Sequence, residues 1–168
     1  MAIDWDAIDE EFGGDYTPYA SNGIYTVTVE GVEFKAAGNK GNYVMKFNFA
    51  EQDGVKFPTA DHWLVKDKQN WRVKHCKDLM VALGCTEENA KKACELAESK
   101  GFDYAVQAYE QGFNKYIEKN SPKVEIEVYP DGKYSRAEFT DRRVAMKRDT
   151  DPMAGSEQIV LDTELPFN

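Results

Sequence analysis

Catalytic signatures are missing from this chain of 168 residues. It holds no glycine-rich phosphate loop, no GxGxxG after a strand, no GxSxG elbow and no HExxH. Its acidic residues are scattered or terminal and form no paired-carboxylate motif. Histidine is scarce, and His62 and His75 fall on different expected elements. Cys76, Cys85 and Cys94 stand nine residues apart without a CxxC pair, so no zinc ligand set is expected. An odd number of cysteines also argues against a disulfide framework and for a reducing compartment. The opening MAIDWDAIDEEF is acidic and lacks the basic and apolar regions of a signal peptide. No apolar run approaches the roughly 20 residues of a membrane span. These absences predict a non-catalytic, cytoplasmic protein with no cofactor, no metal and no membrane contact.

What is present predicts a folded body. Hydrophobic residues make up 42% and aromatics 12% of the chain, enough for one domain with a real core. Residues 22–49 organise it. Tyr25, Val27 and Val29 alternate with Thr26, Thr28 and Glu30, the period of a half-buried strand. Gly31 interrupts, and Val32 and Phe34 resume the apolar face with parity shifted by one. That pattern predicts a β-bulge, which lets one long strand bend into both sides of a small barrel. A basic, glycine-rich turn follows (Gly38, Asn39, Lys40, Gly41, Asn42), then a strand with Tyr43, Met45, Phe47 and Phe49 on one face.

Gln52-Asp53-Gly54 is a turn signal, and residues 57–65 read as a third strand beginning near Pro58. Trp71, His75 or Cys76, Leu79 and Leu83 recur at helical spacing until Gly84. Thr86 suits the cap of a second helix ending at Gly101, and Asp103 that of a third running to Tyr116. After Pro122, Val124, Ile126 and Val128 open a hairpin through Asp131-Gly132 into a last strand over 134–144. Three strands, helices and two strands predict a mainly β fold, a five-stranded OB-fold-like antiparallel barrel with a helical insert between strands 3 and 4. The expected organisation is an acidic arm over 1–20, the barrel domain over 21–146 with its insert at about 70–119, and a disordered acidic tail over 147–168.

Charge is unevenly spread. The net charge is −9, yet residues 1–20 hold six acids and no base, and 147–168 hold five acids and two bases. The body between them is neutral. Residues 35–77 hold nine bases against four acids, so the first barrel half is basic and can meet phosphates despite the acidic total. Single-stranded nucleic acid needs cations for phosphates and exposed rings for bases. Lys35, Lys40, Lys46, Lys66, Arg136 and Arg142 are the candidate cations; Tyr43, Trp63 and Tyr134 are the candidate stacking residues. The alternative is a protein-interaction module, and charge on the outward barrel face separates the two: basic for DNA, acidic or apolar for protein.

The tail ends Asp162-Thr163-Glu164-Leu165-Pro166-Phe167-Asn168. Carboxylates before a Pro-Phe tip on a mobile segment can seat one aromatic in a partner's pocket, with Asp162, Glu164, Leu165, Pro166 and Phe167 as the contacts. The tip and the barrel together resemble bacterial and bacteriophage single-stranded DNA-binding proteins. More narrowly, Gly23-Ile24-Tyr25-Thr26-Val27-Thr28-Val29, the Gly38-Asn39 and Gly41-Asn42 turn and the helix ending Leu83-Gly84 resemble a phage-encoded group in DNA replication or recombination. The resemblance implies single-stranded DNA as ligand and replication or recombination proteins as partners of the tail. The insert could serve as a homodimer contact or as a cover over one barrel end.

Overall fold

The computed structural model describes residues 2–6 and 17–145. The expected tail, its contacts Asp162 to Phe167 and most of the expected acidic arm lie outside them. Five strands close into a barrel in the order β1-β2-β3-β5-β4: β1 (Gly23–Ala37), β2 (Asn42–Phe49), β3 (Ala60–Leu64), β4 (Lys123–Asp131) and β5 (Tyr134–Phe139). Three helices, α1 (Gln69–Ala82), α2 (Glu87–Ala97) and α3 (Phe102–Asn120), are inserted between β3 and β4. This is an OB-fold-like barrel. It is mixed rather than wholly antiparallel, because β3 and β5 meet in parallel at Ala60 and Ala137.

The long first strand serves two neighbours. Residues 23–28 pair with β4 and residues 29–37 pair with β2, with the register shifting between Val29 and Gly31. The bulge expected from the parity change is there. Beyond it β1 has lost β4 on one edge, and α3 replaces the missing strand. Asn114 accepts from Val32 N at 2.9 Å and donates to Val32 O at 2.9 Å, while Glu110 accepts from Phe34 N at 3.2 Å. One amide side chain thus answers a donor and an acceptor that would otherwise be stranded. A Cβ on Gly31 would sit 3.1 Å from Asn114 Oδ1, so a side chain there would push the Asn114 amide by a few tenths of an ångström.

Alternation sets the core. Val27, Val29, Met45, Phe47, Leu64, Ile126, Val128 and Phe139 point inward and are buried. Phe47 is the hub, edge-on to Phe113 at 5.7 Å and to Phe139 at 5.5 Å. Phe113 comes from α3, so the insert closes one barrel end and shares its core. Several bounds differ from the periodicity. The third strand runs only from Ala60 to Leu64. The last strand stops at Phe139 because Asp141 draws Arg143 N, Nε and Nη2 onto its own carboxylate and turns the chain. Thr86 does cap α2, accepting from Asn89 N. Asp103 caps nothing: α3 begins at Phe102 after Gly101 in the left-handed region at φ +91°, and it runs through Gly112 to Asn120. Gly101 takes over because the chain must reverse between the 3₁₀ turn Glu98–Lys100 and α3. Among the described residues no helix is long and apolar enough to cross a membrane.

Candidate functional site

The outer surface of β2, β3, β5 and the end of β4 carries an open groove of about 360 Å³. Val44, Thr59, Asp61, Trp63, Tyr129, Asp131, Arg136 and Glu138 contribute to it. Strand alternation explains the membership. In β3, Ala60, His62 and Leu64 point inward, so Asp61 and Trp63 share the outer face. Registry then brings Val44 opposite Trp63, Lys46 opposite Asp61, and Tyr129 opposite Arg136. Trp63 is 45% exposed, while Tyr129 is buried in the groove surface.

The candidate cations are distributed unequally. Lys46 donates to Asp61 Oδ2 at 3.0 Å, and Thr59 donates to Asp61 Oδ1 at 2.7 Å. Arg136 is ion-paired with Asp131. Lys66 follows β3, with its backbone N–H on Asn42 Oδ1 at 2.9 Å. Its stem lies against Gly41, which puts it beside the exposed turn that carries Lys40. Lys40 and Lys66 therefore border the Trp63 end of the outer face. Lys35 stands opposite Val44, in the cross-strand row that Trp63 completes, and lies 3.8 Å from Glu33. Tyr134 is 76% exposed at the β4–β5 turn, next to Asp131 in register. Two candidates lie off the outer face. Tyr43 shares the inward parity of Met45 and Phe47 and packs against Phe102 at 6.1 Å, so its ring closes the barrel end and does not join Lys46 outside. Arg142 lies in the turn after β5, not on a strand, since the chain has already left the sheet.

Asp61, Tyr129, Asp131 and Glu138 were not among the candidates. Asp61 could have been found from its i, i+2 relation to Trp63, and Tyr129 by counting back from the Asp131-Gly132 turn. Glu138 could not. It is 5% exposed, and its Oε1 comes within 3.7 Å of His62 Nε2 across the β3–β5 seam. Only the parallel pairing of those strands reveals the approach.

The two histidines expected on separate elements meet. His62 Nδ1 and His75 Nε2 are 3.1 Å apart, and His75 stacks on Trp71 at 4.9 Å. Burial and then the neighbouring His75 push His62 well below its ordinary range. Burial pulls His75 down to about 4, against the opposing effect of Asp78. Among the described residues no three His, Cys, Asp or Glu side chains are placed to hold a metal. The pair has a consequence for stability. Both imidazoles are neutral in the folded chain and protonate near 6.5 when unfolded. Folding stability is therefore full above pH 6.5 and is lost as pH falls from there toward 4. His75 alone is expected to cost about 2 kcal/mol at pH 5. Urea denaturation at pH 7.5 and 5 would show the drop, and His75→Gln should flatten it; an unchanged slope in that variant would rule out the assignment.

Comparison with protein-family models, with curated proteins and with solved structures gives no match to this chain.

Proposed function

We propose that this is a non-catalytic protein that binds single-stranded DNA with little overall sequence preference. The observation that carries the reading is Trp63, exposed in a groove on the outer face of the barrel, with the Lys40 and Lys66 end beside it. An indole face offers stacking to any base, and lysines on the rim meet phosphates, so both contributions tolerate sequence. Following the resemblance noted above, the process would be phage DNA replication or recombination, and residues 147–168 would recruit the partner proteins.

The groove itself favours one second reading. Asp61 and Asp131 there balance Lys46 and Arg136, and a charge-balanced surface with an exposed indole also suits a partner protein. Fluorescence anisotropy separates them. A labelled oligo-dT of about 30 nucleotides and a duplex of the same length are titrated with protein at low and moderate salt. The DNA reading expects binding to the single strand that weakens steeply with salt. Absence of binding even at low salt would sink it and leave the protein-interaction module.

A further inference from the structure

We propose that the groove selects for a base with an exocyclic amino group at one position of the bound strand, with Asp61 as the residue that reads it. The inference rests on the DNA-binding reading and concerns which base stacks on Trp63. It follows from the acceptor capacity left on Asp61. Thr59 and Lys46 both donate to Asp61, and Arg136 donates to Asp131. Thr59 has no second proton to give, and Lys46 and Arg136 are anchored on these carboxylates while keeping further N–H groups. Asp61 keeps acceptor capacity, because a carboxylate offers about four lone-pair sites on two oxygens. Asp61 uses one site on each oxygen for Thr59 and Lys46.

A ring whose edge meets Asp61 therefore gains most if it brings a hydrogen-bond donor there. Cytosine presents an amino group at the edge where thymine and uracil present a keto oxygen, and carboxylates are the natural acceptors for that amino group. A keto oxygen at the same place would face the carboxylate without a proton between them. Geometry permits the contact: Asp61 and Trp63 lie on one face of β3, about 6–7 Å apart along the strand. That is within the reach of the polar edge of a pyrimidine stacked on the indole. Lys46 opposite Asp61 fixes the carboxylate's position.

The expected effect is a base preference superimposed on sequence-tolerant binding. Oligo-dC should bind at least about fivefold more tightly than oligo-dU of the same length, the low end of what one well-placed base contact supplies. Uracil is the informative comparison, because it exchanges amino for keto without adding a methyl group. Anisotropy titrations at pH 7.5 would be run for wild type and for Asp61→Asn. In D61N the side chain can donate as well as accept, so the dC to dU ratio should fall to about one, whatever happens to overall affinity. Equal affinities of the wild type for dC and dU would overturn the proposal while leaving DNA binding intact. A preference that survives in D61N would overturn the role of Asp61. Failure to bind any of the oligonucleotides would overturn the underlying reading instead.

Discussion

Replacing Arg72 with alanine is expected to remove about 3–5 kcal/mol of folding stability, the scale of breaking a buried ion pair by deleting one partner. Arg72 stands 3% exposed where β3, α1, the Glu98–Lys100 turn and α3 converge. Its Nη1 donates to Val65 O at 2.9 Å and to Lys66 O at 2.8 Å, answering two carbonyls of the loop that leaves the barrel. Its Nε and Nη2 grip both oxygens of Glu98, at 2.8 and 2.5 Å, and Phe102 lies under the guanidinium at 4.9 Å. The buried Tyr109 adds a third bond to Glu98 at 2.8 Å. Burial alone would raise the Glu98 carboxyl, yet the bonds from Arg72 and Tyr109 hold it below its usual range. Without the guanidinium, a largely buried carboxylate side chain would keep only Tyr109 and Gln69 as donors, and the two loop carbonyls would lose theirs. Thermal and urea unfolding should show the loss, with a midpoint roughly 10 °C lower. Arg72→Met with Glu98→Leu should recover much of it, because removing both charges ends the desolvation problem. A change below about 1 kcal/mol in R72A would mean that the cluster behaves like a surface pair.

That cluster marks what sequence reading reaches and where it stops. The barrel was legible because its constraints are local: the parity change at Gly31, the alternation of Val27, Val29, Met45 and Phe47, and the Asp131-Gly132 turn each act over a few residues. The helices between β3 and β4 were legible for the same reason, through Thr86 and Gly84. Arg72 and Glu98 looked like two more charges on helices, since 26 residues separate the partners and no period links them. Half of the candidate surface was legible as well. Strand parity alone puts Trp63 outside, and it equally puts Tyr43 with Phe47 inside, where Phe102 covers it. What parity could not supply is which carboxylate stands opposite which cation. Lys46 meets Asp61, and Arg136 meets Asp131, only once the strand registers are known. The groove consequently carries less free positive charge than the basic count over residues 35–77 suggests, and the proposed DNA binding then rests more on the exposed ring.

Trp63→Ala is accordingly expected to cause the largest loss of single-strand affinity of any one substitution on the outer face, about 1–3 kcal/mol or roughly 5- to 150-fold. The side chain is half-exposed on a short strand, opposite Val44, so its removal should change stability far less than affinity. The salt response distinguishes stacking from charge. Each phosphate neutralised contributes about −0.7 to the slope of log K against log salt for a single strand. W63A should shift the whole line to weaker binding without changing its slope, because indole carries no charge. Lys66→Ala should do the reverse, flattening the slope by up to about 0.7 with a modest loss of affinity. Trp63→Phe should retain part of the affinity, since a smaller ring still offers a face. Anisotropy titrations at four salt concentrations on the three variants, with unfolding curves beside them, decide the matter. If W63A binds as the wild type does while K66A still flattens the slope, the strand crosses the rim without using the groove. If neither variant changes anything, the DNA path lies elsewhere on the barrel, and the Trp63 groove belongs to a protein partner.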